Sequence, residues 1–114
     1  MQTTETYSHG ATIIQQGTTS RSFYVLEKGA VEIYIGDVLL NVIMYPGSIF
    51  GEVGFIRGTP RTGSIKARAD TIVQRYDCAS VEALIAHYPE IAAKMIETLA
   101  SRLQRTTEKV SELT

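Results

Sequence analysis

Hydrophobic and polar residues alternate in short runs over the first two thirds of the chain, and glycines separate these runs. The clearest example is Val31–Ile35, in which every second residue is Val or Ile and the residues between them are Glu and Tyr. Such alternation is typical of a strand that is buried on one face. Similar runs, also read as strands, lie at residues 12–15, 22–27, 38–44, 65–69 and 72–76.

Two glycine-containing pairs mark turns between these runs. Gly36-Asp37 stands between residues 31–35 and 38–44 and is a signal for a two-residue hairpin. Pro46-Gly47 follows the second of these runs and predicts another turn. Many short strands joined by regular turns indicate a sandwich or a closed jelly-roll barrel.

The last third of the chain has a different composition. All nine glycines precede residue 64, and neither glycine nor proline occurs after Pro89. Ser80 is a suitable N-cap for a helix over Val81–His87, and Pro89 suits the first turn of a second helix. We therefore predict a mainly β protein with C-terminal helices: a β-jelly-roll (double-stranded β-helix) barrel followed by a short helix and a long C-terminal helix.

The 114 residues are expected to form a single domain. Its β-barrel occupies residues 1–77, a glycine-rich segment lies at 50–64, and the helical part spans 80–114. The second helix carries a seam with the spacing of a heptad repeat and one polar member, which predicts a homodimer through this helix. Packing of an amphipathic helix against its own barrel would produce similar spacing, so both readings stay open. The seam residues are Ile96, Leu99, Leu103, Thr106, Val110 and Leu113.

Charge and composition narrow the function classes. The net charge is −1, from 11 basic and 12 acidic residues, so we expect no nucleic acid binding by this chain alone. No apolar run approaches the ~20 residues of a membrane-spanning helix, and the polar start is unlike a secretory signal. Cys78 is the one cysteine, which fits a cytoplasmic setting, and His9 and His87 are too far apart in sequence to suggest a metal site.

The segment 50–64 concentrates groups that suit a phosphorylated sugar. Gly51 and Gly54 let the backbone approach a ligand closely and adopt turn conformations that a β-carbon would forbid. Arg61 carries a permanent charge on a planar fork that matches two phosphate oxygens. Glu52 is an acceptor that suits a ribose hydroxyl, and Thr62 adds a hydroxyl beside the arginine. Counted by residue type alone, the same segment could be a surface hairpin with a solvated Glu–Arg salt bridge.

The order of these residues, Phe50-Gly51-Glu52 followed by Pro60-Arg61-Thr62, resembles the phosphate-binding cassette of cyclic nucleotide-binding domains. The resemblance implies that backbone N–H groups near Gly51 and Gly54 and the guanidinium of Arg61 bind the cyclic phosphate. It also implies that Glu52 holds the ribose 2′-hydroxyl. The implied phosphate and ribose contacts are Gly51, Glu52, Val53, Gly54, Arg61 and Thr62.

A second resemblance lies in the last helix, where the residues from Ser101 to 110 read SRLQRTTEKV. This is similar to the central helix of the bacterial catabolite activator protein (cAMP receptor protein) family, a resemblance that extends over nearly the whole chain. It implies that Thr106 faces the base bound by its own subunit and that Thr107 faces the base bound by the partner. Arg102, one turn earlier, is expected to reach the region of the ribose and Glu52.

We therefore expect a non-enzymatic regulatory domain that binds cAMP in preference to cGMP and couples binding to its C-terminal helix, with no cofactor. Thr62 departs from the Ala or Ser frequent in such sensors and is associated with tolerance of cGMP. The alternatives are a ligand-independent interaction module, or the regulatory part of a longer transcription factor, channel, transporter or kinase. No helix-turn-helix follows before residue 114. A phosphodiesterase is disfavoured because the sequence offers no metal site and no positioned base.

Overall fold

The computed structural model describes the backbone of residues 1–113 and the side chains of residues 1–109. Two compact units are present, one over Met1–Ser80 and a second that begins at Val81. In the first unit the elements are β1 (Gln2–Tyr7), β2 (Thr12–Ile14), β3 (Ser22–Lys28), β4 (Val31–Ile35), β5 (Val38–Ile43), β6 (Ile49–Phe50), α1 (Glu52–Arg57), β7 (Ser64–Ala67) and β8 (Thr71–Asp77). The second unit contains α2 (Val81–His87) and α3 (Pro89–Leu113).

The strands of the first unit form two four-stranded antiparallel sheets. One sheet has the order β1-β8-β3-β6 and the other has the order β2-β7-β4-β5. In each sheet strands from the two ends of the sequence lie side by side, which is the strand order of a jelly roll. The predicted fold class, a mainly β jelly roll followed by helices, is confirmed.

The core of the first unit is made by the inward-facing residues of these strands. Leu26, Val31, Phe50 and Val73 are at most 1% exposed and belong to one apolar cluster. Burial of such side chains contributes about 1.5–3 kcal/mol each to stability relative to an exposed position.

The predicted alternation of strand residues holds in part. On β7, Ile65 and Ala67 are buried while Lys66 between them is exposed. On β4, however, burial fades along the strand, and Ile35 is 47% exposed. Burial decreases there because the strand ends at Ile35 and the chain enters the hairpin turn at Gly36, where φ is +56°.

Most predicted strand boundaries agree with the structure within one or two residues. The hairpin at Gly36-Asp37 is also present, since Ile35 pairs with Val38 in the β4–β5 ladder. The sequence pattern missed β1, whose residues are mostly polar, and the short elements β6 and α1. β1 forms because its backbone continues the sheet beyond β8, from Gln2 opposite Tyr76 to Tyr7 opposite Thr71.

The second unit confirms both predicted helices. The chain passes from α2 to α3 through Tyr88, whose N–H donates to the Leu84 carbonyl at 2.7 Å and whose carbonyl accepts from Ala92 at 3.0 Å. In the part of the chain that the structure describes, no helix combines the length and the apolar character that crossing a membrane requires.

The predicted seam on α3 is exposed at two of its apolar positions. Ile96 is 66% exposed and Leu103 is 68% exposed, whereas Leu99 is half-buried. The side chains of Val110 and Leu113 lie outside the described residues. Exposed apolar residues at heptad spacing are consistent with a helix partner, and dimerisation through α3 stays a prediction.

Candidate functional site

The glycine-rich segment contains a sharp change of direction between β6 and α1. Gly51 lies between these elements with φ +77° and ψ +9°, a left-handed conformation that favours glycine because a β-carbon would be strained there. The helix that follows has six residues and ends at Gly58, whose N–H donates to the Gly54 carbonyl at 2.9 Å. The first N–H groups of any helix lack partners within it, so this turn presents donors to its surroundings.

Arg61 is buried beneath this turn, with 6% of its surface exposed. Its Nη1 donates to the Gly51 carbonyl and its Nη2 to the Ser22 carbonyl, each at 2.6 Å. The backbone of Arg61 is held as well, since its N–H donates to Thr18 at 2.7 Å and its carbonyl accepts from Gly17 at 2.8 Å. The sequence predicted the charge of Arg61 but not these partners, because a backbone carbonyl leaves no signature in the sequence.

The positive charge of Arg61 has no carboxylate partner among the residues that the structure describes. Burial lowers the pKa of its guanidinium, because desolvation penalises the charged form. An arginine remains protonated at neutral pH even so. The site therefore contains a buried cation whose described hydrogen bonds go to two neutral carbonyls.

A turn conformation, one of the two predicted reasons for glycine at position 54, is wrong, and the close approach of the backbone to a ligand stays a prediction. The φ of Gly54 lies outside the left-handed region, so no turn conformation demands glycine there. A β-carbon at Gly54 would instead lie 2.4 Å from Nη1 of Arg61, which is closer than atoms in contact approach. The missing side chain of Gly54 makes room for the guanidinium.

The remaining predicted contacts of the segment differ in exposure. Glu52, the first residue of α1, is 2% exposed, whereas Val53 beside it is 51% exposed. Thr62 follows Arg61 and is exposed. A solvated surface salt bridge between Glu52 and Arg61, the alternative that residue types allowed, is wrong because both side chains are buried.

The predicted base contacts lie in the second unit, on α3. Thr106 and Thr107 are exposed, and their hydroxyls donate to carbonyls one turn earlier, those of Arg102 and Leu103, each at 3.0 Å. The hydroxyl oxygens keep their capacity to accept a hydrogen bond. Arg102 is half-buried, and burial together with the charge of Arg105 lowers its pKa. That Thr106, Thr107 and Arg102 bind the same ligand as the segment 50–64 stays a prediction.

The two histidines and the cysteine differ in exposure. His9 and His87 are exposed, and Cys78 is partly buried, which raises the pKa of its thiol. Within residues 1–109, no group of three or more His, Cys, Asp or Glu side chains is placed to hold a metal ion.

The chain is similar to known proteins that bind cyclic nucleotides. Residues 4–88 match the family model of the cyclic nucleotide-binding domain. A cAMP-dependent protein kinase regulatory subunit from Colletotrichum orbiculare is 42% identical over 71 residues, which are 61% of this chain and 18% of that protein. The chain thus spans about a fifth of the length of this relative.

Two solved structures share the fold over nearly the whole chain. The catabolite activator protein of Thermus thermophilus superposes with a TM-score of 0.80 and 26% identity, covering 98% of this chain and 55% of that one. A cyclic nucleotide-binding domain from Methylobacillus flagellatus superposes with a TM-score of 0.77 and 17% identity, covering 99% of this chain and 68% of that one.

Proposed function

The chain belongs to the cyclic nucleotide-binding domain family, and we propose that it is a sensor that binds cAMP in preference to cGMP and performs no reaction on it. The observation that carries this proposal is the buried guanidinium of Arg61, which lacks a carboxylate partner among the described residues and lies beside the first turn of α1. A cyclic phosphate is the kind of anion that such a cation and turn would hold.

The phosphate is assigned to Arg61 and to the backbone at residues 51–54. Nη1 and Nη2 each donate to one carbonyl, and the guanidinium has further N–H groups that can point toward an anion. Its hydrogen bond to the Gly51 carbonyl holds the planar fork next to the turn that carries Val53 and Gly54. Little reorganisation is then needed for one anion to contact both the fork and the turn, which favours affinity.

The ribose is assigned to Glu52. A carboxylate accepts hydrogen bonds and repels a phosphate, so it suits the 2′-hydroxyl of the sugar. Glu52 is buried at the first position of α1, on the same short helix as the backbone groups assigned to the phosphate. Support for this role comes from the resemblance of the segment to the phosphate-binding cassette and from family membership.

The base is assigned to α3, with Arg102 reaching toward the ribose. Thr106 would accept a hydrogen bond from the adenine amino group in its own subunit and Thr107 from that of the partner in a homodimer. The match to a cAMP-dependent kinase subunit favours cAMP as the ligand. Thr62, exposed beside Arg61, offers a hydroxyl that can accept from the guanine amino group and so permits some binding of cGMP.

Signalling in this proposal comes from a difference in ligand affinity between two arrangements of α3. A ligand shifts such an equilibrium only by that difference, and couplings of ~1–3 kcal/mol are typical. The effector that receives the signal would be a further domain or partner reached through α3. We place this sensor in the cytoplasm, where a single unpaired cysteine is ordinary.

One observation favours a second candidate, a ligand-independent interaction module. The two carbonyl bonds of Arg61 already give its guanidinium a structural role that requires no ligand. Such a module would keep the same fold and the same buried arginine while binding no nucleotide.

Calorimetric titration of the purified protein with cAMP, and separately with cGMP, tests the proposal. We expect saturable binding of both ligands, tighter for cAMP, with each nucleotide recovered unchanged by chromatography. Absence of binding to either would favour the interaction module. Turnover of the cyclic phosphate would contradict the assignment of a non-enzymatic sensor.

A further inference from the structure

The start of β3 is bound to both ends of α1. Ser22, the first residue of the strand, accepts a hydrogen bond from Arg61, which also bonds to Gly51 at the beginning of the helix. Arg21, the residue before it, donates from Nη1 to the carbonyl of Phe55 in the last turn of the helix, at 2.8 Å. Two adjacent residues thus connect the strand to the first and the last turn of the helix.

The guanidinium of Arg21 also lies against the residue that ends α1. A β-carbon on Gly58 would be 2.4 Å from Nη2 of Arg21, so the two groups are in close contact. Gly58 has a left-handed φ of +64° and terminates the helix. Carbonyls in the last turn of a helix lack intrahelical partners, and a cation placed there is favourable.

A helix of six residues depends on such contacts, because isolated helices of this length are unstable in water. The ring of Phe55 is fully buried and lies 5.0 Å from that of Phe23 on β3, which fixes the middle of the helix. Glu52, at the start of the helix, is the other buried side chain of α1. The hydrogen bonds of Arg61 and Arg21 restrain its two ends.

We propose that Arg21 is a positioning residue for ligand binding, which orients the first turn of α1 by holding its last turn. The inference rests on the proposed function, since the N–H groups of that turn are the ones assigned to the cyclic phosphate. The side-chain hydrogen bond of Arg21 goes to the Phe55 carbonyl and not to a group assigned to the phosphate, so we expect its effect to pass through the orientation of α1.

The test compares Arg21→Ala with Arg57→Ala by titration with cAMP and with cGMP. Arg57 lies in the last turn of the same helix, is exposed, and makes no side-chain hydrogen bond within the described residues. Both variants remove one positive charge from the same end of α1, so the difference between them isolates the contacts of the Arg21 guanidinium with Phe55 and Gly58.

We expect Arg21→Ala to weaken binding about 5-fold to 10-fold, the order expected for loss of one charge-assisted hydrogen bond that acts indirectly. The loss should be equal for the two nucleotides, because the phosphate and ribose are common to them. Arg57→Ala should stay within about 2-fold of the wild type, the range of an exposed charge. Arg21→Lys, which keeps one donor, should fall between the wild type and Arg21→Ala.

Equal affinities of Arg21→Ala and Arg57→Ala would overturn the proposal. If Arg21→Ala does not fold, Arg21→Lys against Arg57→Lys decides in the same way, since only the side chain at position 21 bonds to the Phe55 carbonyl. A fall in unfolding temperature without a fall in affinity would assign Arg21 a structural role only and would also overturn it.

Hydrogen exchange of the ligand-free protein separates this inference from the proposed function. The amides of Phe55 and Gly58 close the turns of α1 and report its local opening. Both should exchange faster in Arg21→Ala than in Arg57→Ala, whether or not any nucleotide binds. If the wild type binds no nucleotide, the proposed function fails, and positioning of the helix by Arg21 is still decided by these rates.

Discussion

Arg61 and the threonine pair of α3 are assigned to opposite ends of one ligand, and they lie in contrasting surroundings. Arg61 is 6% exposed, and its guanidinium is fixed by two carbonyls before any ligand is present. Thr106 and Thr107 are exposed, and each hydroxyl bonds to the backbone of its own helix. The group assigned to the phosphate is therefore already held by hydrogen bonds within the first unit, while the groups assigned to the base are exposed side chains whose described hydrogen bonds stay within their own helix.

From this contrast we can predict which region supplies the affinity for a cyclic nucleotide and which region distinguishes the two bases. A preorganised cation requires little reorganisation on binding, so the segment 50–64 should supply most of the affinity for both nucleotides. The exposed hydroxyls of Thr106 and Thr107 should contribute little to the binding free energy, and their effect should appear as a difference in affinity between cAMP and cGMP. Substitutions in the two regions should therefore change different observables.

The largest effect is expected for Arg61→Ala. Removal of a hydrogen bond to a charged group costs ~1.5–3 kcal/mol, so the affinity for both nucleotides should fall by at least that amount. Calorimetric titration of the variant measures this loss directly. Arg61→Lys is the matched control, because it keeps the charge but not the fork that reaches Gly51 and Ser22. Near-wild-type binding by Arg61→Ala would contradict its assignment to the phosphate.

Gly54→Ala should rank next, because its β-carbon would lie 2.4 Å from Nη1 of Arg61 and displace the guanidinium. Overpacking of this kind costs ~1–3 kcal/mol, and we expect a loss of affinity near the lower end. Val53→Ala, in the same helix at an exposed position, is the control: it keeps the backbone N–H assigned to the phosphate and should leave the affinity nearly unchanged. Titration of both variants with cAMP would show equal affinities if the phosphate did not depend on the position of Arg61.

Glu52→Gln is expected to weaken cAMP binding by about 0.5–1.5 kcal/mol, the range of one ordinary hydrogen bond. The amide retains the shape of the side chain but is a poorer acceptor for the ribose hydroxyl. Titration with 2′-deoxy-cAMP supplies the control, since this ligand lacks the hydroxyl and should bind the variant and the wild type equally. If Glu52→Gln lost the same affinity for 2′-deoxy-cAMP as for cAMP, the assignment of Glu52 to the ribose hydroxyl would be wrong.

The smallest effects are expected for single threonine substitutions, and they should appear in the ratio of the two affinities. Thr106→Ala and Thr107→Ala should each weaken the binding of cAMP by about 0.5 kcal/mol, the order of one exposed hydrogen bond, and should change the binding of cGMP little. Thr62→Ala should have the reverse effect: it should weaken the binding of cGMP and leave the binding of cAMP unchanged. Competition titration measures such ratios, and parallel losses for both ligands would place these hydroxyls away from the base.

Much of the first unit could be predicted from local sequence, because alternation and turn residues act over a few positions. The strands at Val31–Ile35 and Ser22–Lys28 and the hairpin at Gly36-Asp37 are of this kind. β1 could not be predicted, since its polar residues carry no alternation and the strand is stabilised by its ladder with β8. Alternation also does not reveal that burial decreases along β4, where Ile35 is 47% exposed.

In the candidate site, too, some features are visible in the local sequence and others depend on tertiary structure. The charge and spacing of Arg61 and Gly51 are visible in the sequence, whereas the carbonyl partners of Arg61 come from tertiary structure. Gly54 was predicted to serve a turn conformation and the close approach of a ligand, and the structure adds the approach of a guanidinium seven positions later in the chain. The helices of the second unit were predicted correctly, but the role of exposed residues on α3 depends on partners that periodicity cannot identify.

A crystal structure of the protein with bound cAMP would show directly which groups hold the ligand. We expect the cyclic phosphate within hydrogen-bond distance of Arg61 and of the backbone N–H groups at the start of α1, with Glu52 accepting from the 2′-hydroxyl. Arg61 should retain its bond to the Gly51 carbonyl. A phosphate bound away from Arg61, or a guanidinium bonded to the two carbonyls alone in the liganded protein, would contradict the account.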